Sequence, residues 1–184
     1  QAERVALNFI QRMTGIATQT AGLVAELPLG SHARITDTRK TTPGLRVFER
    51  YAVRCGGGHN HRDNLSSAVL IKDNHIAACG SLPAAVTRAL KNAPHTMKVE
   101  VEVDRLEQVD EALSAGAHII MLDNFSDDTL SEAVSKIGGR ALVEVSGNVT
   151  KERVAKIARA GVSIISVGGL THSVKAVDLG LDWV

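Results

Sequence analysis

The pattern of apolar positions changes after the first thirty residues. From residue 4 to residue 27, apolar side chains recur every three or four positions, which predicts one helix ended by Pro28 and Gly30. Beyond it, short apolar or β-branched runs alternate with amphipathic stretches. The predicted strands are residues 34–38, 68–72, 98–103, 118–123, 141–145 and 163–167. The predicted helices are residues 45–55, 82–93, 106–115, 128–137 and 151–160.

Alternating strands and helices are typical of βαβ units built on a parallel sheet. Gly116, Gly138 and Gly161 follow three of the helices, as expected of C-terminal caps. No Gly-x-Gly-x-x-Gly or Walker A motif follows a strand, so the common nucleotide-binding folds lose their main support. A closed eight-fold barrel needs about 250 residues. We therefore predict an α/β fold, an open, incomplete TIM-like barrel of about six parallel strands preceded by a helix.

The composition limits the class of protein. The chain has 184 residues, 19.5 kDa, 44% hydrophobic residues and a formal charge of +1. We expect one packed core, no membrane span and no nucleic-acid partner. Cys55 and Cys79 form no CxxC pair, which favours buried reduced thiols. We divide the chain into a connecting helix, residues 1–30, and a barrel domain, residues 31–184.

Charge is unevenly distributed along the chain. Residues 34–62 carry seven basic and two acidic side chains, whereas residues 99–132 carry ten acidic side chains and one basic. Arginine and lysine suit carboxylates and phosphates, and strand-end carboxylates suit Mg²⁺ or ribose hydroxyls. The distribution predicts a ligand with several anionic groups at one end and a metal ion or hydroxyls at the other.

Polar or glycine residues follow every predicted strand. Because the carboxyl ends of barrel strands form one rim, these residues predict a polar site there. Glycine pairs after the last two strands favour phosphate binding. His59 and His61 could suggest a metal site, but anion contact is the preferred interpretation, while His75 and His172 stay open. The segments concerned are residues 38–44, 72–75, 100–102, 123–124, 144–147 and 168–169.

Several runs resemble quinolinate phosphoribosyltransferase, also called nicotinate-nucleotide pyrophosphorylase (carboxylating), most closely its bacterial members. They are Thr-Asp-Thr-Arg-Lys-Thr-Thr-Pro-Gly-Leu-Arg (36–46), Arg-Tyr-Ala-Val (50–53), Gly-Gly-Gly (56–58), Asn-His-Arg (60–62), Leu-Ile-Lys-Asp-Asn-His (70–75), Val-Glu-Val-Glu-Val (99–103), Met-Leu-Asp-Asn-Phe (121–125) and Glu-Val-Ser-Gly-Asn (144–148). The family converts quinolinate and phosphoribosyl pyrophosphate into nicotinate mononucleotide, pyrophosphate and CO₂ in NAD biosynthesis.

The resemblance also implies roles for individual residues. Quinolinate would be bound by Arg4, Arg39, Lys40, His61, Arg62 and Lys72, with Arg4 acting across a dimer interface. Phosphoribosyl pyrophosphate would be bound by Glu102, Asp123, Ser146, Gly147, Gly168, Gly169 and His172. The catalytic residues would be Lys40, Lys72, Glu102 and Asp123. Mg²⁺ would be held by Glu102 and Asp123, directly or through water. Asn148 stands where many members have glycine, a departure we expect to be tolerated.

The resemblance further implies a cytoplasmic homodimer, or a larger oligomer, whose sites are completed across subunits. Family members also carry an N-terminal α/β sandwich domain, which is absent from this sequence, so we expect the chain alone to be weakly active or inactive. Two alternatives stay open: a non-decarboxylating phosphoribosyltransferase for a related ring, and a non-catalytic anion-binding module. The cluster of cationic residues argues against the first, and Glu102 with Asp123 argues against the second.

Overall fold

A single parallel sheet of six strands forms the centre of the molecule. The computed structural model describes residues 2–182. Residue 1 of the predicted connecting helix and residues 183 and 184 of the predicted barrel domain lie outside the described residues. The strands are β1 Arg34–Thr36, β2 Val69–Ile71, β3 Val99–Val103, β4 Ile119–Asp123, β5 Leu142–Ser146 and β6 Ile164–Ser166. Their order is β1-β6-β5-β4-β3-β2, and every neighbouring pair is parallel. Among residues 2–182, the edge strands β1 and β2 do not pair with each other, so the sheet forms the predicted open barrel.

Eight helices connect or flank these strands within residues 2–182. They are α1 Ala2–Val24, α2 Arg46–Cys55, α3 Asp73–Cys79, α4 Leu82–Asn92, α5 Leu106–Ser114, α6 Asp127–Ile137, α7 Lys151–Arg159 and α8 Gly169–His172. All six predicted helices are confirmed, although α1 ends at Val24 and not at residue 27. The sequence analysis missed α3 and α8, because both are too short for an apolar period to be visible.

The two faces of the sheet differ in chemistry. Alternate strand residues such as Val101, Ile120, Val145 and Ile165 are no more than 1% exposed and pack beneath the helices in the main core. The residues between them point to the inside of the barrel, where Glu102, Met121, Glu144, Ser146 and Ser166 lie. The pleat therefore directs one set of side chains to the core and the other set to the polar interior.

Helix α1 packs into the same core as the barrel. Its Ile16 and Leu23 belong to the main apolar cluster, together with core residues of the barrel. One core thus includes residues from both sides of the predicted boundary at residue 30, and the division into two segments stays a prediction. The carbonyl of Lys175 lies so close over Gly15 that an added Cβ would be 2.2 Å from its oxygen. The C-terminal segment therefore crosses α1 where only glycine leaves room.

The two thiols are free, as predicted, but their predicted burial is wrong. Cys55 is exposed at the end of α2, and Cys79 is half-buried at the end of α3. Both lie in last helical turns, where one side faces solvent. None of the described helices combines the length and the apolar character needed to cross a membrane.

Candidate active site

A small cavity rich in cationic groups opens inside the barrel at the carboxyl ends of the strands. Its volume is about 120 Å³, and we call it the basic cavity. The lining residues are Thr38, Arg39, Lys40, His61, Arg62, Leu70, Lys72, Glu102, Met121, Glu144, Ser146 and Ser166. Five of the six residues predicted to bind quinolinate thus line one cavity. Met121 and Ser166 line it as well, although the sequence analysis assigned neither to the site.

Two arginines of the basic cavity lack full neutralisation. The Nε of Arg39 is buried and has no hydrogen-bond partner within residues 2–182. Burial lowers the pKa of Arg62, and the neighbouring charge of Arg39 lowers it further. Arg62 itself donates from Nη1 to the carbonyl of Ala68 at 3.1 Å. Like charges held close together, with a buried donor left over, form a site that an anion would stabilise.

Lys72 and Glu102 form an ion pair that lines the basic cavity. Lys72 follows β2, and its ammonium donates to Oε2 of Glu102 on β3. The lysine side chain is 44% exposed, whereas that of the glutamate is 20% exposed. The ammonium can therefore turn towards a ligand, while Glu102 keeps a fixed place on the strand.

His61 lies above two buried glutamates. Its Nε2 is 3.3 Å from Oε1 of Glu144 and 3.5 Å from Oε2 of Glu100, and Ser166 donates its hydroxyl to Glu144. Burial lowers the pKa of His61, but the hydrogen bonds to Glu100 and Glu144 outweigh it and raise that pKa to about 10. Burial raises the pKa of Glu100 to about 7.

One contact opposes the charge on His61. The backbone N–H of Arg62 donates to Nδ1 at 2.8 Å, which favours the neutral ring. A single backbone hydrogen bond contributes about 1 kcal/mol, less than one pKa unit. The two carboxyls therefore prevail, and the pKa of His61 stays above its ordinary value.

The ligand atoms of His61, Glu100 and Glu144 lie within 4.8 Å of one another, a spacing compatible with a metal ion. A protonated imidazole has no free lone pair at Nε2, so a metal ion at this cluster and a proton on Nε2 would exclude each other. The sequence analysis had found no third ligand for the histidines, because Glu100 and Glu144 are brought to His61 only by the barrel. His59 lines a further cavity at the amino-terminal ends of the strands, and His61, Glu100 and Glu144 line that cavity as well.

A larger groove adjoins the basic cavity. Its volume is about 690 Å³, and it shares Thr38, Lys40, Ser146 and Ser166 with that cavity. The predicted phosphate-binding residues Ser146, Gly147, Gly168, Gly169 and His172 all line it. Thr150 and Lys151, at the start of α7, also line the groove, so backbone N–H groups of a helix N-terminus lie beside it. The groove therefore offers glycine turns and helical N–H groups to an anion.

Gly147 is required by its surroundings. Its φ is +81°, and an added Cβ would lie 2.1 Å from Oδ1 of Asn124. Asn148 follows with φ +51° and donates from Nδ2 to that same oxygen at 3.0 Å. Asparagine tolerates this left-handed conformation better than most residues. The departure from glycine at position 148 is thus accommodated by the backbone.

Two residues predicted for the site, Asp123 and Arg4, lie outside both cavities, and so does His75, whose role was left open. Asp123 ends β4 beside Ser146, and its Oδ2 accepts a hydrogen bond from Asn124 at 2.8 Å. Arg4 is exposed near the start of α1, whereas Thr18 and Gln19 are the first residues of that helix to reach the groove. Fourteen helical residues span about 21 Å, so α1 does not carry Arg4 to this chain's own groove. His75 accepts from the backbone N–H of Lys72 at 2.9 Å, within the first turn of α3.

The chain matches the family model described as quinolinate phosphoribosyl transferase, C-terminal domain, over residues 16–182. It is 48% identical over 180 residues to a probable nicotinate-nucleotide pyrophosphorylase [carboxylating] of Bacillus subtilis, covering 98% of this chain and 62% of the relative. The Mycobacterium leprae nicotinate-nucleotide pyrophosphorylase [carboxylating] is also 48% identical, over 184 residues, 98% of this chain and 64% of the relative.

Solved structures agree with this match. The nicotinate-nucleotide pyrophosphorylase of Ehrlichia chaffeensis superposes with a TM-score of 0.93 at 47% identity, covering 98% of this chain and 65% of that one. NadC of Streptococcus pyogenes gives 0.88 at 48% identity, covering 96% and 62%. The chain thus spans less than two thirds of the length of each of these relatives. The barrel contains the basic cavity and the groove, and the chain belongs to the quinolinate phosphoribosyl transferase family.

Proposed function

We propose that this chain carries the active site of a quinolinate phosphoribosyltransferase of the decarboxylating kind. The reaction joins quinolinate to phosphoribosyl pyrophosphate and yields nicotinate mononucleotide, pyrophosphate and CO₂. The observation that supports it most is the juxtaposition of the two cavities. Five cationic residues surround the basic cavity, and the groove with its glycine turns opens directly from it. The names of the relatives point to the same activity.

The basic cavity suits a planar dicarboxylate. Arg39 and Arg62 offer guanidinium groups that pair with carboxylates through two parallel hydrogen bonds. The charged ring of His61 and the ammonium groups of Lys40 and Lys72 add to the positive potential. These groups replace the water that the two carboxylates lose on binding. A monocarboxylate would leave part of this charge unneutralised.

The groove suits the phosphoribosyl group. Its 5′-phosphate would lie against the turns containing Gly147 and Gly168, beside the N-terminus of α7. Lys40 lies between the two cavities, and its Cδ would be 3.2 Å from a Cβ added to Gly168. This position lets its ammonium contact either substrate. The ribose would then face the carboxylates of Glu102 and Asp123.

The arrangement supports direct displacement followed by decarboxylation. The ring nitrogen forms a bond to ribose C1′ while the bond from C1′ to pyrophosphate breaks, and pyrophosphate leaves with the electron pair. Glu102 and Asp123 would stabilise the positive charge that develops on the ribose. Loss of CO₂ then leaves an electron pair on the ring carbon next to the quaternised nitrogen. That carbon takes a proton from solvent, which completes the product.

Mg²⁺ is part of this proposal. Asp123 keeps Oδ1 free of partners among residues 2–182, and Glu102 presents oxygen near the same rim, so the donors fit a hard cation. Mg²⁺ binds through one or two carboxylates, with waters and substrate phosphates completing its shell. When bound, it would neutralise charge on the departing pyrophosphate.

The proposal is tested with purified protein, quinolinate and phosphoribosyl pyrophosphate. Calorimetric titration should show quinolinate binding, with nicotinate competing weakly. We expect the chain alone to turn over slowly or not at all, and we expect turnover with CO₂ release when an N-terminal domain is supplied. If neither substrate binds this chain, or if the complete enzyme releases no CO₂ from quinolinate, the proposal is wrong.

We also propose that the site is completed by a second copy of the chain. Helices α1 and α2 share an exposed apolar surface near Arg4, where the rings of Phe9 and Phe48 meet edge to face at 5.4 Å. Its exposed members are Val5, Phe9, Ile10, Val47, Phe48 and Tyr51. Monomers rarely expose apolar patches of this kind. Dimerisation through this surface would carry Arg4 towards the partner's basic cavity. The cytoplasmic location stays a prediction.

Mixing two variants that each lack one quinolinate-binding arginine tests whether the site is shared between two chains. In a heterodimer of Arg4→Ala and Arg39→Ala chains, one of the two sites has both arginines intact. Quinolinate binding should therefore reappear on mixing, at up to half the wild-type stoichiometry. A Phe48→Glu chain should sediment as a monomer and give no recovery. Absence of recovery between chains that sediment as dimers would show that Arg4 does not act across the interface.

A further inference from the structure

A partly buried ion pair lies behind the two cavities without lining either: Glu49 is fully buried, whereas the Arg12 side chain is 30% exposed. Arg12, in the middle of α1, places Nε 3.0 Å and Nη2 2.7 Å from Oε1 of Glu49 on α2. Glu49 is fully buried, and its Oε2 accepts from the backbone N–H of Thr42 at 3.1 Å. Nη2 of Arg12 is also 2.8 Å from Oγ1 of Thr42 and 2.9 Å from the carbonyl of Thr171.

Each contact of this pair ends on a segment that lines a cavity. Thr42 belongs to the loop of residues 37–45, which carries Arg39 and Lys40; we call it the cationic loop. Thr171 belongs to the turn of residues 167–172, which we call the glycine turn. The hydroxyl of Thr171 donates to the carbonyl oxygen of Lys40 at 2.7 Å. Arg12 and Glu49 therefore hold the cationic loop against the glycine turn.

Stability alone does not explain the pair. Removing the charge of the fully buried Glu49 from water costs several kcal/mol, and apolar replacements of buried pairs are often neutral or stabilising. An apolar pair cannot supply directional hydrogen bonds. The planar fork of arginine reaches Glu49, Thr42 and Thr171 from one position, and these three groups lie on different elements.

We propose that Arg12 and Glu49 are positioning residues that fix the cationic loop and the glycine turn relative to each other, so that both substrates meet at the right distance. This inference rests on the proposed function. Arg12 contacts neither cavity and acts only through the two segments. Helix α1 would thereby link the exposed surface around Arg4 and Phe9 to the interior of the site.

Conservative replacement separates positioning from stability. In Arg12→Lys, the ammonium keeps its charge and one contact with Glu49 but cannot reach Thr42 and Thr171 together. We expect its melting temperature to stay close to that of the wild type, while affinities for quinolinate and for phosphoribosyl pyrophosphate both fall by about ten- to a hundred-fold. Lys136→Gln breaks the exposed pair with Asp110 on α5 and α6, and serves as the control with unchanged affinities.

A second variant keeps the test valid if Arg12→Lys fails to fold. Thr171→Val preserves the shape of the side chain and the ion pair but removes the hydroxyl that donates to Lys40. We expect folded protein with weaker binding of both substrates. Calorimetric titration of each substrate, well below the melting temperature, gives the result.

The outcomes distinguish the two proposals. If the wild-type chain binds neither substrate, the proposed function fails. If it binds both, and folded Arg12→Lys or Thr171→Val binds them with wild-type affinity, the positioning role is wrong. Loss of melting temperature without loss of affinity in the folded protein would give the pair a purely structural role and would equally overturn the inference.

Discussion

Replacing Arg39 should raise the free energy of unfolding of the ligand-free protein and lower its affinity for quinolinate. Arg39→Met keeps the length of the side chain and removes its charge. In the free protein, the change deletes a buried donor that has no partner among residues 2–182, and it relieves repulsion with Arg62. An unsatisfied buried polar group costs about 1–3 kcal/mol. We therefore expect a gain of about 1 kcal/mol in the free energy of unfolding, or roughly 2–4 °C in melting temperature.

Binding should change in the opposite direction. Hydrogen bonds to a charged group contribute about 1.5–3 kcal/mol. The dissociation constant for quinolinate should therefore rise by roughly 10- to 150-fold. Calorimetric titration measures the affinity, and thermal unfolding in the absence of ligand measures the stability.

The control for Arg39→Met is Arg159→Met. Arg159 is exposed in the last turn of α7 and lines a cavity at the opposite end of the barrel. This variant should match the wild type in quinolinate affinity. If Arg39→Met bound quinolinate normally, Arg39 would have no role in the site. If it were clearly less stable than the wild type, the reasoning about the unpaired donor would be refuted.

Three further predictions concern the backbone, the buried histidine and the core. Gly147→Ala should lower the free energy of unfolding by about 1–3 kcal/mol and weaken phosphoribosyl pyrophosphate binding, because its φ of +81° and Asn124 leave no room for a methyl group. The pKa of His61 in the folded protein is raised to about 10, so the stabilisation that charged His61 gives the fold should be complete below pH 6.5 and lost as pH rises towards 10. His61→Asn should remove this loss of stability at high pH. Leu122→Ala should cost about 2–5 kcal/mol in urea unfolding.

Each of these has a clear contrary result. Gly139→Ala, at an equally positive φ but with open space around it, separates backbone strain from the clash at Gly147. A wild-type protein as stable at pH 10 as at pH 6.5, relative to His61→Asn, would contradict the assignment of charge to His61. Leu65→Ala, at a 70% exposed position, should change stability by less than about 0.5 kcal/mol, and a larger change would contradict the location of the core.

Most of the fold could be predicted from local patterns. Each strand is a short apolar or β-branched run, and each long helix has its apolar positions on one face, so all six strands and six helices were found within a few residues. The short helices α3 and α8 escaped because one or two turns do not establish a period. The rim that carries the candidate site could be predicted, because polar residues following parallel strands must share one rim.

The partners of those site residues could not be predicted in the same way. The sequence predicted anion contact for His61, but Glu100 and Glu144 reach it from β3 and β5, far from it in the chain. No local pattern singles out Arg12 and Glu49, since nothing in the neighbouring sequence distinguishes a partly buried ion pair from a solvated one. In the proposed dimer, Arg4 would act in the site of a second chain, and no local pattern within one chain describes such a contact.

The sequence by itself determined the repeating strand and helix, the faces of the sheet, and the residue types at its rim. These follow from propensity, periodicity and chain direction, which act over a few residues. Tertiary structure alone decided which charges neutralise one another, which donor of Arg39 stays without a partner, and which loops Arg12 joins. Those outcomes depend on distances of about 3 Å between residues far apart in the chain, and only the closing of the barrel sets them.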